Sequence, residues 1–196
     1  SSQYLSTLKT QDDITNVIKE FRAKTVGEIS GAVVGNEDII KLLGAAKRAG
    51  VKVNGHCPSM GFRDVQQAAC AGLCDDHECE SISDLEQRLA CGMAVLVREG
   101  TIEPNCRTLC EGIVKNHIPT DNIMFCTDDK SAEDIKENGC IDNALRIAVK
   151  CGISPVSAIK MATLNVARHY GVDDIIGSVA PSRKANFLLM DSLENM

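Results

Sequence analysis

Five short apolar runs along the chain each end in ionisable side chains, and this repetition constrains the fold more than any other feature. Stretches with helical periodicity separate the runs, which is typical of a parallel sheet covered by helices. The ionisable run ends are Glu28, His56, His77-Glu78, Arg98-Glu99 and Asp128-Asp129. In a (β/α) barrel the carboxyl ends of the strands meet on one rim, where functional side chains gather. We therefore expect these side chains to share one site.

The same periodicity gives approximate element boundaries. Strands are predicted over 25–30, 51–55, 73–76, 93–97 and 123–126. Helices are predicted over 12–22, 37–49, 61–71, 81–91, 103–116, 140–151 and 154–170. After a turn that contains Gly177 and Pro181, residues 186–190 (Asn-Phe-Leu-Leu-Met) predict a further strand.

Length and composition restrict the class of protein. A complete (β/α)8 barrel needs about 250 residues, so the 196 residues here predict a partial barrel. The net charge of −6, the absence of a Lys/Arg block and the 3% aromatic content argue against a nucleic-acid partner. No apolar run approaches the ~20 residues of a membrane span, so no membrane partner is expected.

The ten cysteines include no Cys-x-x-Cys pair, which argues against a structural zinc ribbon. Most of them fall inside predicted helices and strands, where cysteine acts as a small buried apolar residue. We predict free thiols in a reducing cytoplasm.

Each run end also has a simpler explanation when it is considered alone. Glu28 could face solvent, His56 could be structural, and the loop with His77-Glu78 could be solvated. Arg98-Glu99 could form a surface ion pair and Asp128-Asp129 could cap a helix. Together, however, two imidazoles and several carboxylates on one rim form a ligand set for one or two transition-metal ions. The other two histidines, His117 and His169, follow or end helices, and we interpret them as structural.

Seven segments carry a resemblance to a known family. They are Val-Gly-Glu28, Asn-Gly-His56-Cys-Pro, Ala-Gly-Leu-Cys-Asp-Asp-His77-Glu78-Cys, Val-Arg98-Glu99-Gly, Thr-Asp128-Asp129, Met-Ala-Thr-Leu-Asn165-Val-Ala and Gly177-Ser-Val-Ala-Pro. In this order they resemble the adenine deaminases of the amidohydrolase superfamily. The family's first-strand His-x-His pair is missing, Val166 stands where a proline is usual, and Asn186 stands where an aspartate is usual. We therefore expect the chain to be a piece of a longer enzyme.

The resemblance implies a fold and a reaction. The fold would be a partial TIM-like (β/α) barrel over residues 1–175, holding about strands 4–8 with their helices. Residues 176–196 would begin a flanking β-sandwich. The reaction would be hydrolysis of the 6-amino group of adenine to hypoxanthine and ammonia, in a cytoplasmic homo-oligomer.

The resemblance also implies roles for residues. Two divalent ions, manganese or iron with zinc as an alternative, would be held by Glu28, His56, His77 and Asp128. Asp128 and Glu78 would be catalytic, and Arg98, Glu99 and Asp129 would bind the substrate. A cyclic amidase of the dihydroorotase type is an alternative, although such enzymes commonly use a carboxylated lysine where this chain has Glu28. A non-catalytic fragment is the other alternative.

Overall fold

Five parallel strands form one sheet in the computed structural model, which describes residues 10–193. In chain order and in spatial order they are β1 (Thr25–Ser30), β2 (Lys52–His56), β3 (Asp75–Asp76), β4 (Ala94–Arg98) and β5 (Ile123–Cys126). Each strand pairs in parallel with the next, so all carboxyl ends lie at the same edge of the sheet. This arrangement confirms the predicted partial parallel barrel.

Helices follow the strands and cover the sheet. They are α1 (Gln11–Glu20), α2 (Glu37–Ala49), α3 (Phe62–Ala71), α4 (Ile82–Ala90), α5 (Cys106–Lys115), α6 (Ala132–Asn138), α7 (Ile141–Lys150), α8 (Pro155–Ala162) and α9 (Leu164–His169). Their ends follow local chemistry. Ser81 accepts the backbone N–H of Asp84 at the start of α4, and Gly50 ends α2 in the left-handed conformation. Between residues 10 and 193, no helix is both long enough and apolar enough to cross a membrane.

The buried apolar side chains form two clusters between sheet and helices. One cluster joins α1, α2 and α3 to β1 and β2 through residues such as Ile14, Leu42, Val53 and Val65. The other joins α4, α5, α7 and α8 to β4 and β5 through Leu85, Leu109, Ala148, Met161 and Ile123. The predicted free thiols are confirmed, because all ten cysteines are unpaired and several of them line these clusters.

Gly55 on β2 lies too close to β3 to carry a side chain without movement of the backbone. A Cβ atom at this position would lie 2.3 Å from the backbone oxygen of Asp75 on β3. Gly55→Ala is therefore expected to push β2 and β3 apart and to lower the free energy of unfolding by about 1–3 kcal/mol. Gly27→Ala on β1 is the matched control, since nothing lies within 4 Å of the added Cβ. Equal urea midpoints for the two variants would contradict this explanation of Gly55.

The second half of the chain departs from prediction in its helices. Helix α6 was not predicted, although Ser131 caps it and acidic residues fill its first turn. The helix predicted over 154–170 is two helices, because Thr163 leaves helical geometry at φ −134° and ψ −81°. The Thr163 hydroxyl donates to the carbonyl of Ile159 at 2.6 Å, a side-chain bond that competes with the helical pattern.

The strand predicted over residues 186–190 is wrong for the described structure, where these residues have no regular secondary structure. Leu188 and Leu189 are 87% and 92% exposed. A strand requires a neighbour to pair its backbone groups, and no strand within residues 10–193 pairs with this segment. The β-sandwich assigned to residues 176–196 stays a prediction.

Candidate metal and substrate site

A cavity of about 310 Å³ opens at the carboxyl ends of the strands. Its lining residues are Glu28, His56, His77, Glu78, Arg98, Ile102, Glu103, Asp128 and Asp129. Every predicted site residue except Glu99 is in this set. The structure thus brings the ionisable strand ends together, while the chemical role of each residue stays a prediction.

The two imidazoles lie at the centre of the site. Nδ1 of His56 and Nε2 of His77 are 3.3 Å apart. Glu28 approaches both rings, with an oxygen 3.9 Å from Nδ1 of His56 and another 3.3 Å from Nε2 of His77. Oε1 of Glu78 lies 3.4 Å and 3.3 Å from the same two nitrogens. Nitrogen and oxygen ligand atoms of four side chains therefore meet within a few ångströms.

An irregularity in β1 brings Glu28 to the cavity. Val26 pairs with Val53, but Ile29 pairs with Gly55, so β1 has one residue more than β2 across this interval. Residues three positions apart on a regular strand point to opposite faces. The extra residue instead lets Val26 and Ile29 pack in the same apolar cluster. Glu28, between them, is left free to face the cavity.

A buried ion pair fixes the strand ends that carry the two histidines. Nε of Arg88 on α4 donates to Asp76 at 3.0 Å, and the side chains are 1% and 0% exposed. The other oxygen of Asp76 accepts the backbone N–H groups of Cys57 and Glu78 at 3.0 and 3.2 Å. Arg88 also donates to the carbonyl of Cys57 at 2.8 Å. Asp76, from the Asp-Asp-His77-Glu78 segment, and Arg88, which the sequence analysis did not single out, thus position the backbone beside His56 and His77.

Arg98 joins the two sides of the cavity. Its Nη1 donates to Glu78 and, at 3.1 Å, to Oδ2 of Asp128. Its Nε donates to Asn105 at 2.9 Å, and Nη2 lies 3.5 Å from Glu103. Burial alone would lower the pKa of Arg98, but the nearby carboxylates of Glu78 and Asp128 outweigh burial and raise it. The guanidinium therefore stays charged and orients both carboxylates.

Asp128 turns back over the end of β5. Its φ of 54° lies in the left-handed region, which aspartate tolerates better than most residues. Oδ2 of Asp128 lies 4.0 Å from Nε2 of His77. Asp129 also lines the cavity. The left-handed turn thus places Asp128 beside both His77 and Arg98.

Glu99 lies outside the cavity lining, and its predicted role in substrate binding stays a prediction. Burial raises the pKa of its carboxyl group, and the backbone N–H of Cys106 and the ammonium of Lys130 oppose this rise. Glu99 directly follows β4, and its backbone N–H donates to the carbonyl of Cys126 on β5 at 3.0 Å. It therefore continues the strand alternation in which Arg98 faces the cavity.

Ile102 and Glu103, which the sequence analysis did not single out, line the cavity from the loop after β4. Ile102 is 73% exposed, yet hydrogen bonds hold its loop. The Thr101 hydroxyl donates to Asp134 at 2.7 Å and accepts the N–H of Ser131 at 2.9 Å. One sequence signal could have identified both residues, namely their position just after the end of β4, which carries Arg98.

The donor set fits divalent cations. The ligand atoms of Glu28, His56 and His77 all lie within 4.8 Å of one another. The same is true of the ligand atoms of His77, Glu78 and Asp128. Five carboxylates and one guanidinium line the cavity, so its net charge is −4 when the imidazoles are neutral. Imidazole and carboxylate ligands suit zinc, iron and manganese. Two divalent ions would balance this charge.

Comparisons with known proteins agree with the fold. The sequence profile described as "Amidohydrolase family" matches residues 8–196. An adenine deaminase from Nitratidesulfovibrio vulgaris is 38% identical over 183 residues, which are 92% of this chain and 31% of that protein. An adenine deaminase from Kosmotoga olearia is 36% identical over 95% of this chain and 32% of its own length.

A solved structure supports the fold alone. The N-acetyl-D-glucosamine-6-phosphate deacetylase from Mycobacterium smegmatis superposes with a TM-score of 0.63 at 15% identity, over 90% of this chain and 53% of that chain. The chain spans about a third of the length of the curated relatives it matches. With its parallel sheet, its rim of imidazoles and carboxylates and the match over residues 8–196, the chain belongs to the amidohydrolase family.

Proposed function

We propose that the whole protein hydrolyses adenine to hypoxanthine and ammonia. One observation carries this proposal: the cavity that gathers both imidazoles with Glu28, Glu78 and Asp128 belongs to a chain that is 38% identical to an adenine deaminase. The reaction adds water at C6 of the purine ring and releases the 6-amino group as ammonia. It needs a group that takes a proton from water and returns it to the leaving amine.

Asp128 is suited to this proton transfer. Arg98 donates to its Oδ2 at 3.1 Å and His77 lies 4.0 Å away, so the carboxylate is oriented toward the centre of the cavity. The same guanidinium orients Glu78, whose carboxylate can accept a hydrogen bond from an N–H group of the purine ring. Glu28, His56, His77 and Asp128 would hold two divalent ions, manganese, iron or zinc. When bound, such ions supply Lewis acidity and lower the pKa of water.

Glu28→Gln is expected to lower the metal content of the full-length protein, because a neutral amide is a poor ligand for a divalent cation. The change preserves side-chain size, and Glu28 is 58% exposed, so the fold should be unaffected. Metal stoichiometry by elemental analysis is the measurement. Glu37→Gln, on the first turn of α2 outside the cavity, is the control. A Glu28→Gln protein with unchanged stoichiometry would argue against the ligand role.

Ile102→Ala is expected to raise KM for adenine about 10-fold with little change in kcat. Ile102 is the one apolar side chain among the cavity-lining residues. Its truncation to alanine leaves less apolar surface to contact the planar purine ring of adenine. Steady-state kinetics of the full-length protein measure both constants. Ile40→Ala, an exposed position on α2, is the control. A KM within twofold of wild type would show that Ile102 does not contact the substrate.

The direct test of the proposed function is ammonia release from adenine by the full-length protein. Conversion of adenine to hypoxanthine, followed by the change in ultraviolet absorbance, supports the proposal. Turnover of dihydropyrimidine rings without turnover of adenine would replace it with the cyclic amidase alternative.

A further inference from the structure

A second cluster of metal-binding side chains lies outside the cavity, where the end of α9 meets β3. It consists of Cys74, Asp75 and His169, whose ligand atoms all lie within 4.8 Å of one another. Nε2 of His169 is 2.6 Å from Oδ2 of Asp75, and Sγ of Cys74 is 3.9 Å from the same oxygen. We propose that this cluster is a second metal site, which binds one zinc-type divalent ion and fastens α9 to β3.

The chemistry of the three side chains selects a borderline-soft ion. Thiolate, imidazole and carboxylate are the three ligand types that Zn²⁺ uses in proteins. One thiolate and one carboxylate neutralise the double charge of the ion, with His169 as a neutral ligand. The first cavity offers no thiolate among its lining residues, so the two sites differ in chemistry as well as in place.

The surroundings of Asp75 already orient its carboxylate. Oδ1 accepts the backbone N–H of Gly55 at 3.1 Å, and Oδ2 accepts the side-chain amide of Asn54 at 2.7 Å. The same amide lies 2.9 Å from the hydroxyl of Tyr170. Asp75 and His169 are 1% and 9% exposed at their side chains. Such outer hydrogen bonds are what fixes ligand orientation in metal sites.

The cluster borders a second cavity through His169. This cavity of about 300 Å³ opens at the amino ends of β1 and β2 and is lined in part by His169 and Tyr170. Lys24, Lys52 and Arg168 also line it, and their charges oppose the approach of a cation. Affinity at this site therefore depends on the ligands themselves and not on long-range attraction.

Binding requires small changes in geometry and the loss of a proton. The 2.6 Å contact between His169 and Asp75 is a hydrogen bond, whereas ligand atoms around a tetrahedral zinc ion lie roughly 3.3–3.8 Å apart. A shift of about 1 Å at the end of α9 accommodates this difference. Burial and the charge of Asp75 raise the pKa of the Cys74 thiol to about 11, so the thiol releases its proton to solvent when the ion binds.

The test uses Co²⁺ as the probe, bound to the full-length protein in place of other divalent ions. Cobalt bound to a thiolate gives a sulfur-to-metal charge-transfer band in the near ultraviolet, which ions held by nitrogen and oxygen lack. We expect the wild-type protein to show this band and Cys74→Ser to lose it together with about one equivalent of tightly bound cobalt. Cys70→Ser, an exposed thiol on α3, should retain both.

A second variant covers the case in which Cys74→Ser fails to fold. His169→Gln should weaken cobalt binding about 10-fold or more, whereas His117→Gln, at the exposed position after α5, should not. Absence of the band in the wild-type protein, its full retention in Cys74→Ser, or an unchanged cobalt affinity in His169→Gln would overturn the proposal. In that case the cluster is a hydrogen-bonded contact and no more.

Discussion

Arg88→Met is expected to lower the free energy of unfolding of the full-length protein by about 3–5 kcal/mol. The substitution keeps most of the apolar stem but leaves the carboxylate of Asp76, which is 0% exposed, without its guanidinium. It also removes the donor to the carbonyl of Cys57. A buried charge without its partner is among the most destabilising changes a core can suffer. Urea unfolding followed by circular dichroism measures the effect.

Arg107→Met is the control for this prediction. Arg107 faces Glu111 at 3.9 Å on the surface of α5, and both side chains are 61% exposed. Water screens such a pair, so its loss should change the free energy of unfolding by about 0–1 kcal/mol. Equal free energies of unfolding for the Arg88 and Arg107 variants would show that the ion pair with Asp76 does not stabilise the ends of β2 and β3.

Asp128→Asn is expected to lower kcat for adenine by about 10²-fold or more, because the amide cannot accept and return a proton. Asparagine has nearly the same shape and also tolerates the left-handed backbone of this position, where φ is 54°. The fold and the turn should therefore persist. Ammonia release by the full-length protein at saturating adenine gives kcat, and elemental analysis of the same sample reports whether metal is retained.

Asp129→Asn is the natural comparison, since both aspartates line the cavity. The Arg98 guanidinium donates to Asp128, while Asp129 has no such bond to it in the described structure. We expect the Asp129 variant to lose less activity than the Asp128 variant. An equal loss of kcat in both variants, with metal retained, would mean that we have assigned the proton-transfer role to the wrong aspartate.

The strand ends were predictable from sequence because a parallel sheet brings all of them to one edge. His56 ends β2 and His77 directly follows β3, and the apolar runs before them made both strands visible. Within a strand, alternation then decides which of two adjacent residues faces the cavity. That decision depends on register, which a single sequence does not specify, so the position of Glu99 outside the cavity lining was not predictable. Beyond the strand ends, both members of His77-Glu78 and of Asp128-Asp129 line the cavity.

The supporting contacts were not predictable because they join distant parts of the chain. Arg88 reaches Asp76 from the last turn of α4, and a periodic pattern alone makes such an arginine look like an exposed helix residue. His169 contacts Asp75 across 94 positions of sequence, so the interpretation of this histidine as a simple helix-end residue missed its partner. Contacts of this kind depend on tertiary packing.

The extra residue in β1 makes this strand sensitive to insertions and deletions rather than to substitutions. Gly27 has open space around it, so a larger side chain fits there. A residue added or removed between Val26 and Ile29 would change the pairing of this segment with β2, on which the position of Glu28 at the cavity depends. Among natural variants of this protein, the length of this segment should therefore vary far less than its composition.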